Sequence, residues 1–411
     1  MNSATSKVTR AVLAADPQPG SSAALLSRRT GKILIVSATV PPQPFGSAVI
    51  VGNLLAKIIP GDAVVVGEGR ELEPQSFHGH DIHLFQSEPK WPKRGRRFVR
   101  WLRWSRYQGL VRFLDRISEQ TGRGPIVAVF PDEFHLAAAH AVASRRGLPF
   151  FPYFHNTYVD NRTGVSRQLG KALEARVMRD AESAMVLTSA LEDHYRARYP
   201  EARLEVLPHS FAFESMNESA TRRSEGEVRI GILGNINHSN MDAFLRLFRA
   251  IDESMVVTIY AGSTPKWFFE KLGVLGPRVR HEQPSDADLY AKLRENDLLF
   301  LPHGLQGKWN SVEYRTIFPT RTAPYLGSGR PVLAHCPQEC FLHDWLEARD
   351  CAEIVSTSSE DALRNAIRLL MSNRERAQQL VRNAAVAFDE FDPNRIVQKF
   401  EQIIAGGESR S

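Results

Sequence analysis

The chain has 411 residues, more than a single ordinary hydrophobic core organises and enough for two domains. Hydrophobic residues make up 43% and charged residues 24%, which excludes a disordered or fibrous chain over most of the length. The net charge of +6 is split unevenly: residues 1–210 hold 28 Lys and Arg against 19 Asp and Glu, residues 211–411 hold 24 against 27, so the two halves are expected to face different partners.

Residues 1–30 are rich in Ala, Ser and Arg without periodicity and read as a mobile leader; they resemble neither a secretory signal nor a membrane span, so the cytoplasm is the expected compartment. From Lys32 onward short apolar runs alternate with amphipathic stretches. Strands are expected at Ile33–Ser37, Ala63–Val66, Ile126–Phe130, Phe150–Phe154 and Ala184–Thr188. Helices are expected near Ser47–Ile59 and at Glu133–Arg146, Arg167–Ala181 and Ala190–Arg198. Continuously apolar strands separated by helices predict a parallel sheet covered on both faces. Residues 212–226 lose the pattern and read as a linker. The alternation then restarts, with strands at Val228–Leu233, Val256–Tyr260, Val279–His281, Asp297–Leu301, Pro331–His335 and Glu353–Val355. Helices are expected near Met241–Ile251 and at Ser359–Met371, Arg374–Ala387 and Pro393–Ile404. The expected division is an N-terminal Rossmann-like domain over 31–211, a C-terminal one over 227–388, and a last segment, 389–411, whose helix returns to the N-terminal domain. Two open α/β domains in tandem leave a ligand cleft between the carboxyl ends of their strands.

Several loops could carry chemistry. After the first strand, Pro41, Pro42 and Pro44 stiffen a loop in which Phe45, Gly46 and Ser47 bring backbone close to a ligand at a helix start. After Val228–Leu233, Gly231 and Gly234 resemble part of a dinucleotide fingerprint, but the third glycine and the acidic residue are missing, which disfavours a nicotinamide oxidoreductase. Asn235, Asn237 and His238 crowd polar groups at the next helix start, where capping is an equally available role. In the stretch 317–333, Pro319 suits a first helical turn, Thr320 and Arg321 sit where a phosphate would meet dipole and guanidinium, Gly327 and Gly329 end the helix, and Pro324 is expected to kink it. His155, closing the strand Phe150–Phe154, and His303, after Leu301-Pro302, are candidate sugar or donor ligands or else satisfied core histidines. The stretch from His335 through Cys336 and Cys340 to His343 is poor evidence for zinc, so no metal is expected. The three cysteines are expected to be reduced. Residues 90–106 alternate cations with aromatic side chains: Lys93, Arg94, Arg96, Arg97, Arg100, Trp101, Arg103 and Trp104 suit an anionic membrane surface, or else form a surface helix with inward Trp residues. No nucleic-acid motif accompanies them, and nucleic acid is not an expected partner.

Taken together, FPTRTAPYLGSGRPVLA, the Gly-Ile-Leu-Gly-Asn loop, the Pro-Pro-x-Pro-x-Gly-Ser loop and VMRDAESAMVLTSALEDHYRARYPEARLEVLPHSF resemble family 4 nucleotide-sugar glycosyltransferases over roughly Lys32 to Ile404. The resemblance implies the GT-B architecture, α/β with two Rossmann-like domains facing each other across a cleft. It further implies transfer of a sugar, hexosyltransferase-like and with retention, from a nucleotide-diphosphate donor to an acceptor hydroxyl in polysaccharide or glycoconjugate synthesis. The nucleotide sugar is a co-substrate; no resident cofactor or divalent ion is implied. The acceptor is a saccharide or a lipid-linked one, entering beside Phe45, Gly46 and Ser47, and His155 is the expected catalytic residue. If the basic helix engages lipid, the protein lies peripherally at the inner face of the membrane. Two family carboxylates are replaced, by Thr316 and Pro324, and the family's Arg and Lys are absent from Asn235–Asn240. Donor binding therefore falls to Asn235, Asn237, His238, His303, Thr320 and Arg321, with Lys308 as a further cation. The same departures keep a catalytically silent binding subunit open as an alternative, beside a nucleotide-sugar epimerase.

Overall fold

The computed structural model describes residues 31–43, 46–69, 75–86, 96–129, 133–211, 226–236, 240–261, 270, 276–285, 288–305 and 311–408, with backbone alone at 75, 96–103, 133 and 407–408. The expected leader and residues 212–225 of the expected linker lie outside the described residues.

The first sheet is built from β1 (Ile33–Ser37), β2 (Ala63–Gly69), β3 (Gln75–Phe77), β4 (His80–Gln86), β5 (Ile126–Val129), β6 (Phe150–Phe154), β7 (Ala184–Val186) and β8 (Leu204–Val206). Its order is β3-β4-β2-β1-β5-β6-β7-β8, parallel except for the β3–β4 hairpin at one edge. The second sheet, from β9 (Val228–Leu233), β10 (Met255–Tyr260), β11 (Val279–Glu282), β12 (Leu298–Pro302), β13 (Val332–His335) and β14 (Glu353–Val355), has the order β11-β10-β9-β12-β13-β14 and is wholly parallel. In each sheet the order reverses direction beside the first strand, so the loops leaving β1 and β9 open onto a switch point.

Helices α1 (Ser47–Leu55), α2 (Arg96–Gln120), α3 (Glu133–Arg146), α4 (Gly164–Asp180) and α5 (Ser189–Arg198) accompany the first sheet. With the second run α6 (Met241–Ala250), α7 (Leu289–Arg294), α8 (Ser311–Thr316), α9 (Thr322–Leu326), α10 (Phe341–Ala348), α11 (Glu360–Ser372) and α12 (Arg374–Phe388); α13 (Pro393–Glu408) follows. β1 is buried on both faces because all its side chains meet helices: Leu34 and Val36 join a cluster with Leu110, Leu114 and Val142, while Ile33 and Ile35 join Val51, Phe400 and Ile404. The last helix thus completes the core of the first domain. Its Ile396, Val397, Phe400, Ile403 and Ile404 are all buried there, each contributing about 1.5–3 kcal/mol of transfer free energy. The chain therefore crosses between domains twice. The two crossings are tied where the Phe211 N–H donates to the Phe391 carbonyl at 3.0 Å. No helix among the described residues is long and apolar enough to cross a membrane.

Candidate active site in the interdomain cleft

On the N-terminal side the site begins at the end of β6, a strand reading Phe-Phe-Pro-Tyr-Phe and fully buried. His155 follows it and is 7% exposed. Its ring lies edge-on to Tyr153 at 4.3 Å and to His209 at 5.0 Å. The Tyr153 hydroxyl donates to the Leu207 carbonyl at 2.7 Å and so fixes residues 207–210 beside β6. Burial, reinforced by the neighbouring His209 ring, holds the His155 pKa well below the usual imidazole value, and burial lowers that of His209 to about 3, so both rings are neutral near pH 7.

The loop after His155 is held by a buried ionic network. Glu174, wholly buried in α4, accepts from the Val159 N–H at 3.2 Å, from Arg198 at 2.8 Å and from the Tyr199 hydroxyl at 2.8 Å. Asp160 takes the other fork of Arg198 at 2.8 Å and faces His194 at 3.0 Å, while the Tyr158 N–H donates to the Tyr195 hydroxyl at 3.0 Å. Burial opposes charge on Arg198, yet Glu174 and Asp160 outweigh it and raise the guanidinium's pKa. A loop anchored from two helices presents His155 and Thr157 in one geometry.

On the C-terminal side, two glycines of the β9 loop serve different ends. A Cβ at Gly231 would meet Asn296 Nδ2 at 2.6 Å, so this glycine allows packing. Gly234 has φ +96° and lies against Arg321, whose guanidinium carbon would be 3.1 Å from a Cβ there. Arg321 caps α9. Its Nη1 and the hydroxyl of the fully buried Thr322 have no hydrogen-bond partner among the described residues. Burial lowers the Arg321 pKa and no described carboxylate pairs with it; the neighbouring Tyr325, neutral near pH 7, accepts at its hydroxyl from the Leu233 N–H at 2.5 Å. An enclosed guanidinium facing glycine backbone, with a free N–H and a free hydroxyl beside it, is a receptor for an anionic group.

Around it, Asp242 at the start of α6 accepts from the Leu305 N–H at 2.8 Å and from Arg246 at 3.0 Å. Arg246 also donates to His335 Nε2 at 2.9 Å, and His335 Nδ1–H donates to the Val355 carbonyl at 2.7 Å. His303 Nε2–H donates to the Tyr314 carbonyl at 2.9 Å, which leaves Nδ1 as the acceptor; burial lowers its pKa to about 4 and Arg321 adds to the shift.

The two sides meet through α8. Glu313, 0% exposed, accepts at Oε2 from the Thr157 hydroxyl at 2.5 Å and from the Thr157 N–H at 3.2 Å. Burial raises its carboxyl pKa against these bonds. One turn on, the Thr188 hydroxyl donates to the Thr316 carbonyl at 2.9 Å. An interdomain cavity of about 840 Å³ has Thr188 and Pro208 on one wall and Phe318, Cys340 and Trp345 on the other; neither His155 nor Arg321 lines it.

Of the residues picked out in the sequence, His155 lies two residues before Thr157, the partner of Glu313; His303 bonds the carbonyl of the next residue, Tyr314; and Arg321 lies against Gly234. Gly46 is exposed with φ +58° at the start of α1, Ser47 is buried, and Thr320 is exposed. The Asn235 carbonyl accepts from Asn240 Nδ2 at 3.2 Å. Phe45, Lys93, Arg94, Asn237, His238 and Lys308 lie outside the described residues, as do the side chains of Arg96, Arg97, Arg100, Trp101 and Arg103. Trp104 is described and is 61% exposed. Two expectations are corrected. Pro319 does not open the helix: the Thr322 N–H bonds its carbonyl in a preceding turn, and α9 starts at Thr322. Pro324 consequently occupies the first turn, where a missing N–H removes no helical bond, and does not kink the helix. The Cys336–Cys340 spacing is explained by capping, since Cys340 Sγ accepts from the His343 N–H at 3.4 Å; no cluster of three or more His, Cys, Asp or Glu placed for a metal ion occurs among the described residues. Glu313, His209 and the Asp160–Glu174–Arg198 network were not foreseen. Arg198 and His209 do lie in the quoted stretch 177–211, but each of these residues gains its role from an element distant in sequence.

No protein-family model matches the chain, and no curated protein matches it in sequence. Solved structures do match along nearly its full length. Sucrose-phosphate synthase from Thermosynechococcus elongatus has a TM-score of 0.70 at 14% identity, over 92% of this chain and 100% of that one. The chain has the GT-B fold. Anabaena HepE in complex with UDP-glucose gives a TM-score of 0.66 at 15% identity, over 93% and 100% of the two chains, and the lipopolysaccharide outer core galactosyltransferase WaaB gives 0.59 at 14%, over 91% and 99%.

Proposed function

We propose that the chain is a nucleotide-sugar glycosyltransferase of the family 4 type, acting with retention. The observation that carries this is Arg321: a half-buried residue against Gly234 whose enclosed Nη1 has no partner among the described residues, next to the equally unpartnered hydroxyl of Thr322. Such a group is costly unless an anion completes it, and the donor diphosphate is that anion. As the sugar–phosphate bond breaks, the fixed N–H donors of Arg321 offset the charge growing on the leaving diphosphate. The acceptor hydroxyl enters from the side of Gly46, Ser47 and His155. Closure of the domains about the Thr157–Glu313 and Thr188–Thr316 bridges excludes water from the reacting carbon. The UDP-glucose held by HepE supports a uridine donor.

The acceptor is a saccharide, free or lipid-linked, in polysaccharide or glycoconjugate synthesis. Trp104, exposed on the basic helix α2, supports peripheral contact with an anionic membrane surface. Isothermal titration with UDP and GDP sugars tests the donor reading. Binding in the micromolar range that Arg321→Ala abolishes is the expected result; no binding of either class, or a variant equal to the parent, rejects it.

One observation favours a second reading, a silent binding subunit: Thr316 and Pro324 stand where the resembled family places its two acids. Turnover of donor by the purified chain eliminates it.

A further inference from the structure

At the first crossing between the domains, four buried side-chain atoms lack any partner among the described residues: His155 Nε2, both ring nitrogens of His209, and Ser210 Oγ. The residues are 7%, 4% and 2% exposed, and the two rings touch at 5.0 Å. Their positions are fixed by other bonds. Tyr153 holds the Leu207 carbonyl, Asn53 Nδ2 donates to the Ser210 carbonyl at 2.5 Å, and the next residue, Phe211, is tied to Phe391. A buried donor or acceptor left unmade costs about 1–3 kcal/mol, so a cluster of this kind is retained where a ligand completes it.

We propose that His209 and Ser210, with His155, form the subsite for the hydroxyl groups of the transferred sugar, His209 acting as a positioning and specificity-determining residue. The chemistry selects the ligand class. His209 offers one donor and one acceptor, the Ser210 hydroxyl both, and His155 Nε2 one or the other according to its tautomer, the complement of adjacent sugar hydroxyls, which donate and accept. Neither imidazole carries charge near neutral pH, so the cluster is a poor receptor for phosphate, whereas Arg321 is a good one. The donor is thereby oriented, diphosphate toward Arg321 and sugar toward the crossing. The atoms are enclosed in this arrangement, so the sugar enters as the domains part and is enclosed as they close.

This inference rests on the proposed donor, and the experiment separates the two. Calorimetric affinities are measured for UDP, UDP-glucose, GDP and GDP-mannose with the parent, His209→Gln and Ser210→Ala. The subsite requires that His209→Gln weaken the preferred nucleotide sugar about tenfold while changing its free nucleotide less than twofold, with Ser210→Ala in the same direction. Nucleotide binding in which both variants shift sugar and free nucleotide equally, or neither, overturns the subsite and leaves the donor reading standing. Failure of the parent to bind any of the four overturns both. If His209→Gln does not fold, Ser210→Ala alone carries the comparison.

Discussion

Arg321 closes directly over Gly234, so that a Cβ there would stand 3.1 Å from the guanidinium carbon, a contact tight enough to press the side chain back. Gly234→Ala therefore both strains a φ of +96° and pushes Arg321 away. Expected is a loss of about 1–3 kcal/mol in chemical unfolding, together with at least a tenfold loss of nucleotide affinity by calorimetry.

Removing the charge itself should have the opposite effect on stability. Arg321→Met replaces an enclosed, unpaired cation by an apolar chain of similar length, so the melting temperature is expected to hold or rise while nucleotide binding disappears. A large fall in melting temperature without loss of binding would show that Arg321 is a structural residue.

Thr157 and Glu313 couple the domains. Thr157→Val takes the strong hydroxyl bond from a buried carboxylate and is expected to cost about 1.5–3 kcal/mol. In a double-mutant cycle with Glu313→Gln the two changes should be clearly non-additive, read by urea unfolding.

The network behind His155 is a stability element. Arg198→Ala leaves buried Glu174 without its cation and Asp160 with only His194 and the more distant Arg167, and should cost about 3 kcal/mol. The loop carrying His155 should lose hydrogen-exchange protection before the rest of the sheet does.

Acid sensitivity follows from the histidines. His209 titrates near 6.5 when unfolded and at about 3 when folded, so the unfolded state takes up its proton first and stability falls as the pH drops from about 6.5 toward 3. At pH 5 this one residue accounts for about 2 kcal/mol. His209→Gln should flatten the melting temperature between pH 7 and 5; an unchanged slope contradicts the assignment.

Charge reversal at Arg96, Arg97 and Arg100 is expected to weaken binding to anionic vesicles in low salt several-fold per residue, at about 1 kcal/mol each. Equal vesicle binding by parent and variant excludes the membrane contact.

The amino-acid sequence by itself determined the two-sheet architecture. Runs such as Ile33–Val36 and Leu298–Leu301 are apolar at every position, a pattern that strands covered on both faces sustain. The β3–β4 hairpin escaped notice because β3, at the sheet edge, is only three residues long and β4 beside it mixes buried and solvent-facing positions in a polar string. The sequence also drew attention to His155 and Arg321, through the loops that end strands. Only the tertiary structure decided what those side chains meet: Gly234 for Arg321, His209 for His155, Thr157 for Glu313. The physical reason is that a residue's pattern along the chain reports its own burial, whereas a charge or an imidazole left without a partner is a property of where several distant segments converge.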